Sequence, residues 1–388
     1  MSGKYELNQK IYYLGYYDCP ENAGEHRHYP PAAVSKMSYI AEVMQKLGYD
    51  VEIVSMSQTT LKHMFPGKTM KLQSGVMLRL FRTFGTGSIL RRIVNRLGMN
   101  FQLLYFLLMI PKNATVVVYH SLGYATLIHF IKRMKKLKLL IEVEEIYADV
   151  IGDEEARAKE LSLFTLADGY IFPTQLLDEA VNVNNKPSVV IHGTYQAEAL
   201  RKVSFDDDKI HVVYAGTLDP RKGSLTVVET AEYLPENYHV HILGHGSDEE
   251  KRQLQEKILG QHTENAATVT YDGLLGGDDY VRFMQKCQLG LSPQAPDAPF
   301  NGTSFPSKIL SYLANGLRVV SVRIPAIERS AVGDLISYYE VQKPEEIAKA
   351  IMDVDVSASY DSRARLRELN KEFADNLEQL IKDVTLED

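Results

Sequence analysis

The chain has 388 residues, is 45% hydrophobic and carries a formal net charge of −7, so it is too apolar for a disordered chain and long enough for two domains with separate cores. Cys19 and Cys287, its two cysteines, form no metal or redox spacing, and free thiols in a reducing compartment are expected. The first ten residues hold no apolar core of signal-peptide length, and the longest apolar run, Leu103 to Ile110, is too short to span a bilayer, so a cytoplasmic protein is expected.

The net charge hides a segregation. Between Glu52 and Glu142 there is no acidic residue, while Lys62, Lys68, Lys71, Arg79, Arg82, Arg91, Arg92, Arg96, Lys112, Lys132, Arg133, Lys135, Lys136 and Lys138 bring +14 to residues 53–141. The remainder holds 29 of the 43 basic and all 50 acidic residues, a balance of −21. A tract this one-sided suits an anionic partner: a membrane surface, a phosphorylated substrate or nucleic acid. Leu78 to Phe106 interleaves arginines with Leu, Phe, Ile and Met at roughly helical spacing, as an interfacial helix does, although a basic helix packed on a core reads the same way. The tract contains no nucleic-acid module and the whole chain is acidic, so no nucleic-acid partner is expected.

In chain order, Ile11 to Tyr16 reads as a strand, Ala32 to Leu47 as an amphipathic helix stopped by Gly48, and Val51 to Met56 as the next strand. Thr115 to Tyr119, Leu139 to Val143, Tyr170 to Pro173 and Val189 to Ile191 are further apolar runs of strand length separated by helical stretches, which predicts a parallel sheet covered on both faces. The polar segment Gly193 to Asp208, ending in three aspartates, reads as a linker, with a first domain over residues 1–200 and a second over 201–357. In the second, strands at Ile210 to Ala215, Tyr238 to Leu243, Val269 to Tyr271, Leu289 to Ser292 and Val319 to Val322 mostly feed glycine-containing turns and then helices. Residues 358–388 read as charged helices able to pack back on the first domain.

Open α/β sheets bind ligands outside the C-terminal ends of their strands, and several candidate groups collect there. Asn301 to Val320 reads as a loop, a helix capped by Ser304 with Pro306 in its first turn, a stop at Gly316, and a buried strand. The backbone N–H groups of Ser304 to Ser307 would face an anion, with Lys308 one turn in; an ordinary αβ unit with a solvated lysine has the same pattern. Arg221-Lys222-Gly223 puts two cations at a strand-to-helix turn. Gly244-His245-Gly246 has two glycines of a dinucleotide fingerprint but Glu249 where the third belongs, which disfavours a Rossmann oxidoreductase; no Gly-Lys-Ser/Thr phosphate loop and no His-Glu-x-x-His occur. Asp206 to Asp208 fits a solvated linker better than a metal site, and His26 and His28 a surface loop. His120 ends an apolar strand at the ligand edge, where it is equally a structural residue. Glu142, Glu144 and Glu145 end the next strand; they suit sugar hydroxyls or an acceptor, or a cap on the following helix. Asn301-Gly302-Thr303 matches the N-glycosylation pattern, without meaning in a cytoplasmic protein.

Four segments taken together resemble the C-terminal half of glycosyltransferases of the GT-B fold, particularly family 4 of the retaining enzymes. They are Ala215-Gly216-Thr217-Leu218 with Lys222-Gly223, Leu243-Gly244-His245-Gly246, Tyr271-Asp272-Gly273-Leu274, and Phe305-Pro306-Ser307-Lys308 with Tyr312-Leu313-Ala314-Asn315-Gly316. Asn22 to Gly24 and Ala167-Asp168-Gly169-Tyr170-Ile171 extend a looser resemblance into the first half, which by this likeness binds the acceptor. The resemblance implies an α/β protein of GT-B architecture, two doubly wound Rossmann-like domains facing a central cleft. It implies that Lys222 and Arg221 hold a nucleotide diphosphate opposite the helix starting at Ser304, with Lys308, that Asp272, Gly273 and Leu274 lie against the base, and that His120 stands beside the donor sugar. Gly216, Thr217, Gly244, Gly246, Ser304, Phe305 and Ser307 belong to the same donor site, and Gly24, Glu144 and Glu145 to the acceptor side. No metal or other cofactor is implied, since lysines and backbone N–H groups can neutralise the diphosphate.

Two positions depart from the family pattern. Its two glutamates fall, aligned on Leu313-Ala314-Asn315-Gly316, on Thr303 and Ser311, and the arginine after the first glycine of the Lys-Gly turn is Thr217. The second glutamate normally holds the ribose hydroxyls, a role left to Ser311. Pro-Ser-Lys with Tyr-Leu-Ala-x-Gly is also similar to bacterial polysaccharide transferases without the glutamate pair. The implied activity is transfer of a hexose from a nucleotide-diphosphate sugar, UDP-sugar favoured, to a glycan or lipid-linked acceptor. A noncatalytic partner subunit and a nucleotide-sugar epimerase are the alternatives on this architecture.

Overall fold

The apolar runs become strands. The computed structural model describes residues 9–121, 123–147, 154–261 and 264–386, and the chain falls into two compact units. One comprises Met1–Pro173, Leu177–Thr194 and Glu372–Asp388, the other Thr174–Leu176 and Tyr195–Lys371.

The first unit holds β1 (Lys10–Gly15), β2 (Asp50–Ser55), β3 (Lys68–Lys71), β4 (Met77–Leu80), β5 (Thr115–Tyr119), β6 (Lys138–Glu142), β7 (Gly169–Phe172) and β8 (Ser188–Val190). They form one sheet in the order β3-β4-β2-β1-β5-β6-β7-β8, parallel except for edge strand β3. Ile11, Tyr13 and Leu14 of β1 and Val116 to Val118 of β5 are buried, as expected of central parallel strands covered on both faces. The helix Pro31–Lys46 starts on proline, whose missing N–H costs nothing there, and Gly48 follows it at φ 97°, a left-handed stop.

The single interfacial helix expected over Leu78 to Phe106 does not form. Met77 to Leu80 alternate half-buried and buried, the period of a strand, and pair with both β2 and β3. Gly85 and Gly87 lie beyond the strand, and the helix runs Ile89–Met109, with Ser88 accepting from the Arg91 N–H at 3.2 Å. Asn95, Met99, Leu103 and Leu107, four residues apart, form its buried stripe, and the last three join the core of the sheet. Ile89, Leu90, Ile93, Leu97, Phe101, Tyr105 and Met109 stay exposed on the same helix. Among the described residues no helix is long and apolar enough to cross a membrane.

The second unit holds β9 (Ile210–Thr217), β10 (Tyr238–His245), β11 (Thr268–Gly273), β12 (Leu289–Ser292), β13 (Arg318–Val322) and β14 (Ile336–Tyr339). They form an all-parallel sheet ordered β11-β10-β9-β12-β13-β14. The chain steps outward from β9 in one direction and returns to its other side at β12, so the strand order reverses between β9 and β12, where ligands of such sheets bind. The last helix, Ser362–Leu386, buries Leu366, Leu369, Phe373, Leu377, Leu380, Ile381 and Val384 at helical spacing. From Glu372 on the helix belongs to the first unit, where Phe373 stacks on Tyr39, ring centroids 5.8 Å apart.

Candidate functional site

The C-terminal ends of β9 and β10 are pressed together by their glycines. Gly244 pairs with Gly216, and a Cβ at Gly244 would overlap the Gly216 carbonyl oxygen. Beyond β9, Asp219 accepts from the Arg221 N–H at 2.9 Å and starts a short 3-10 turn, Pro220–Lys222. Gly223, at φ 87° and against Pro293, turns the chain into the helix Ser224–Thr230. This turn sets Lys222 on the wall of a cavity of about 490 Å³.

The loop Ser304 to Ser307 and the start of the helix Lys308–Ala314 line the same cavity. Ser304 does not cap that helix as the sequence suggested. Ser307 is the N-cap residue, without a side-chain cap bond, because a tight turn with the Ile309 N–H on the Pro306 carbonyl (3.0 Å) absorbs the preceding residues. Lys308 is therefore the first helical residue, not one turn in. Its ammonium stands over the Tyr214 ring, 4.2 Å from the centroid. Burial first, and the charge of Lys222 second, pull its amine down to about 7. Gly316, at φ 86°, closes the helix as expected.

The cavity is completed by Ala215, Gly216, Thr217, Leu243, Gly244, His245, Leu274, Leu275, Tyr280, Gln294 and Ser311. Among the described residues its lining contains two lysines and no carboxylate. Ser311 and Tyr280 share a hydroxyl–hydroxyl bond of 2.9 Å where the resembling family has a glutamate. Tyr280, on the helix Gly277–Met284, was not singled out from the sequence, and its spacing to Ser311 gives no clue to the pairing. Gln294 was also missed. Its amide donates to Asn301 Oδ1 at 2.6 Å, and Asn301 in turn donates to the carbonyls of Ala295 and Pro296, holding the loop that ends at Ser304.

Of the donor-side expectations, Gly216, Thr217, Lys222, Gly244, Leu274, Ser304, Phe305, Ser307, Lys308 and Ser311 line this cavity. Arg221, Gly246, Asp272, Gly273 and Thr303 do not. The Arg221 side chain is 82% exposed and paired with Asp219 at 2.7 Å, because the 3-10 turn rotates it away from Lys222. Asp272 turns instead to His241 and Thr270, at 3.1 and 2.9 Å.

The remaining expected residues lie in the first unit. His120 is buried; its Nε2 bonds Glu160 Oε1 at 2.6 Å, and its Nδ1 has no hydrogen-bond partner among the described residues. Glu160 also accepts from the Tyr147 N–H at 2.9 Å, and Tyr147 stacks on the imidazole. Glu144 is ion-paired with Lys36, a buried lysine of the helix Pro31–Lys46. Glu145 is half-buried, and Gly24 lies in the 3-10 turn Pro20–Glu25 with open space where a Cβ would be. Glu142 does not face a cleft: it is fully buried and accepts from the Tyr13 hydroxyl, and burial with the nearby Glu144 charge raises its carboxyl to about 8.

Comparison with known proteins bears on this geometry. Residues 209–354 match the family described as glycosyl transferases group 1. Among solved structures, a sucrose-phosphate synthase from Thermosynechococcus elongatus superposes with a TM-score of 0.70 at 13% identity over 98% of this chain and 100% of its own. An alpha,alpha-trehalose-phosphate synthase (UDP-forming) from Burkholderia xenovorans, in complex with glucose-6-phosphate, gives 0.65 at 11% identity over 97% and 100%. HepE from Anabaena, in complex with UDP, gives 0.63 at 12% identity over 97% and 100%. No curated protein sequence matches significantly. The chain has the two-domain GT-B fold of glycosyltransferases, and its second unit carries the group 1 pattern.

Proposed function

We propose that the protein transfers a hexose from a nucleotide-diphosphate sugar, a UDP-sugar in preference, to a glycan or lipid-linked acceptor in bacterial polysaccharide or glycoconjugate synthesis. The observation that carries this reading is the lysine pair Lys222 and Lys308, both lining a cavity with no carboxylate among its described lining residues. The Lys308 amine, lowered by burial and then by the charge of Lys222, is relieved by an anion bound beside the two lysines, and a diphosphate supplies that charge. Transfer breaks the bond between the anomeric carbon and the diphosphate oxygen, leaving negative charge on the diphosphate. Cations fixed where that charge grows stabilise the transition state more than the ground state. Neutralisation by lysines makes the transfer independent of a metal ion, and retention at the anomeric carbon follows the resemblance to the retaining family.

The cavity assigns further roles within this reading. Leu274 and Leu275 take the base, the Ser311–Tyr280 hydroxyl pair takes the ribose in place of the family's glutamate, and Ser304 to Ser307 lie along the diphosphate. His120 stands beside the donor sugar by the family resemblance; its Nε2 is held by Glu160, and its Nδ1 has no hydrogen-bond partner among the described residues. The first unit takes the acceptor, with Gly24, Glu144 and Glu145 on that side.

The protein works at the cytoplasmic face of the plasma membrane. The exposed Ile89, Leu90, Ile93, Leu97, Phe101, Tyr105 and Met109 share their helix with Arg91, Arg92 and Arg96, while Phe130 and Met134 are exposed on the helix Ala125–Lys135 beside Arg133. Apolar side chains bordered by cations fit the boundary of an anionic bilayer, where a lipid-linked acceptor is anchored.

The test is turnover. Release of UDP from UDP-glucose or UDP-galactose should require a lipid-linked acceptor fraction extracted from bacterial membranes and should fall at least tenfold in Lys222→Ala. Nucleotide binding without acceptor-dependent release would favour a noncatalytic partner subunit, and interconversion of the two UDP-sugars without acceptor would favour an epimerase.

A further inference from the structure

The sequence Tyr238-His239-Val240-His241 in β10 puts two histidines on one face of the sheet, and β9, in register His211 with His239, adds a third. Their ligand nitrogens all lie within 4.8 Å of one another. Alternation at His239 and His241 was the available sequence signal; His211, distant in sequence, joins them through strand pairing alone.

The hydrogen bonds around the cluster leave an electron-pair problem. His211 Nε2 is 2.7 Å from Asp207 Oδ1, and His241 Nδ1 is 3.1 Å from Asp272 Oδ2. Carboxylates accept, so each of these ring nitrogens carries a proton and donates it. The other nitrogens, His211 Nδ1 and His241 Nε2, are then both lone-pair atoms in neutral imidazoles, yet they face each other at 2.9 Å. Two lone pairs do not stand at that distance without a cation shared by them: a proton at 2.9 Å, or a metal ion that parts the two nitrogens to roughly 3.3 Å.

The surroundings favour the metal. Histidine ligands characteristically donate their second ring nitrogen to a carboxylate, which fixes the tautomer and makes the ligating nitrogen more basic. Both facing imidazoles have that carboxylate, and Thr270 Oγ1 steadies Asp272 at 2.9 Å. Phe205 stacks on His211 and His241, with centroids 3.9 and 4.9 Å away, so their ring planes are packed in place. His239 is only half-buried, and its Nε2 is 3.1 Å from the Thr270 hydroxyl, a bond to a neutral group that a third metal bond can replace. Three imidazoles and one open position are a zinc donor set, with metal–nitrogen bonds of about 2.0–2.1 Å.

We propose that His211, His239 and His241 form a binding site for a borderline divalent cation, zinc by donor type, with Asp207 and Asp272 orienting two of the ligands. The site is separate from the cavity lined by Lys222 and Lys308. Asp272 nonetheless leads through Gly273 directly into Leu274 and Leu275 of that cavity's wall, so an ion here would stiffen the turn at its edge.

Zinc chloride is titrated into the chelator-stripped full-length protein without nucleotide, with calorimetry and competition against a chromogenic chelator as readouts. The proposal predicts stoichiometric uptake with a Kd of about 1 μM or tighter. Affinity should fall at least about 100-fold in His211→Ala and His241→Ala, and about 10–100-fold in Asp272→Asn and Asp207→Asn. His26→Ala/His28→Ala should leave it unchanged. If the histidine variants fail to fold by circular dichroism, Asp207→Asn, a change at an exposed carboxylate, decides. No uptake by the folded wild type, or uptake unaffected by Asp207→Asn and the folded histidine variants, overturns the proposal and gives the 2.9 Å contact to a proton.

Discussion

The Lys308 ammonium sits over the Tyr214 ring, 4.2 Å from its centroid, and Tyr214 is itself fully buried with its hydroxyl on the Thr217 carbonyl at 2.6 Å. The ring seats the amine at the mouth of the turn that carries Lys222, but in surroundings that pull it down to about 7. An amine lowered below its ordinary value keeps its proton only under the lowered value. The charge that grips a diphosphate is thus present below about pH 7 and lost above it, and the free protein gains stability as pH rises from about 7 toward the unfolded amine's value. UDP affinity should weaken from about pH 6 to about pH 8, with proton uptake on binding near neutrality, seen by calorimetry in buffers of different ionisation enthalpy. Lys308→Arg, which keeps its charge throughout, should lose this weakening with rising pH. A flat wild-type profile would contradict this account.

Tyr312 carries the sheet beneath the cavity. β9 and β12 pair at Val212 and Val213 and then diverge. The Tyr312 hydroxyl bridges the gap, accepting from the Ala215 N–H at 2.9 Å and donating to the Leu291 carbonyl at 3.0 Å. Tyr312→Phe leaves both buried groups unpaired and should cost roughly 1–3 kcal/mol in urea unfolding. Gly290 lies under the same ring, where a Cβ would overlap it, so Gly290→Ala should destabilise as well.

The Glu142 carboxyl, fully buried against Tyr13, is raised to about 8 by burial and then by the charge of Glu144. A carboxyl raised in the folded state is more protonated there than in the unfolded chain. Its stabilisation is present below the ordinary carboxylate value and disappears as pH rises through about 8. Glu142→Gln should therefore raise Tm relative to wild type at about pH 9, by the equivalent of roughly 1–3 kcal/mol, and change little at about pH 5. Equal Tm differences at both pH values would show that the carboxyl stays charged throughout.

The exposed face of the helix Ile89–Met109 should bind vesicles containing phosphatidylglycerol and not vesicles of phosphatidylcholine alone. Binding should weaken as salt shortens the range of the arginines' attraction. Leu97→Asp/Phe101→Asp changes two residues that are 64% and 71% exposed, so it should abolish sedimentation with vesicles without moving Tm. Vesicle binding unaffected by this double change would place the contact elsewhere.

The two sheets were legible because parallel strands buried on both faces write continuous apolar runs, as in Val116 to Val118, and because Gly48 and Gly316 mark helix ends at positive φ. The turns at the strand ends were legible as candidates for the same reason, glycine at a close approach. Hydrogen bonds made only after folding were not. Ser311 meets Tyr280 from another helix, Arg221 is drawn off by Asp219 inside its own turn, and the helix expected at Ser304 starts at Lys308 after a tighter turn. Glu142 looked like a cleft residue by position, yet it is buried with its carboxyl on the Tyr13 hydroxyl of β1, two strands away in the sheet. Met77 to Leu80 show how four alternating residues can be absorbed into a helical reading when a long helix follows.

The central claim, that Lys222 and Lys308 hold one diphosphate, is tested most directly by titrating UDP and GDP into the wild-type protein and into folded Lys222→Ala and Lys308→Ala variants by calorimetry. The account predicts micromolar binding of UDP in preference to GDP, weakened at least tenfold by either change, a loss of about 1.4 kcal/mol. Absence of binding to the wild type, or UDP affinity unchanged in both variants, would contradict it.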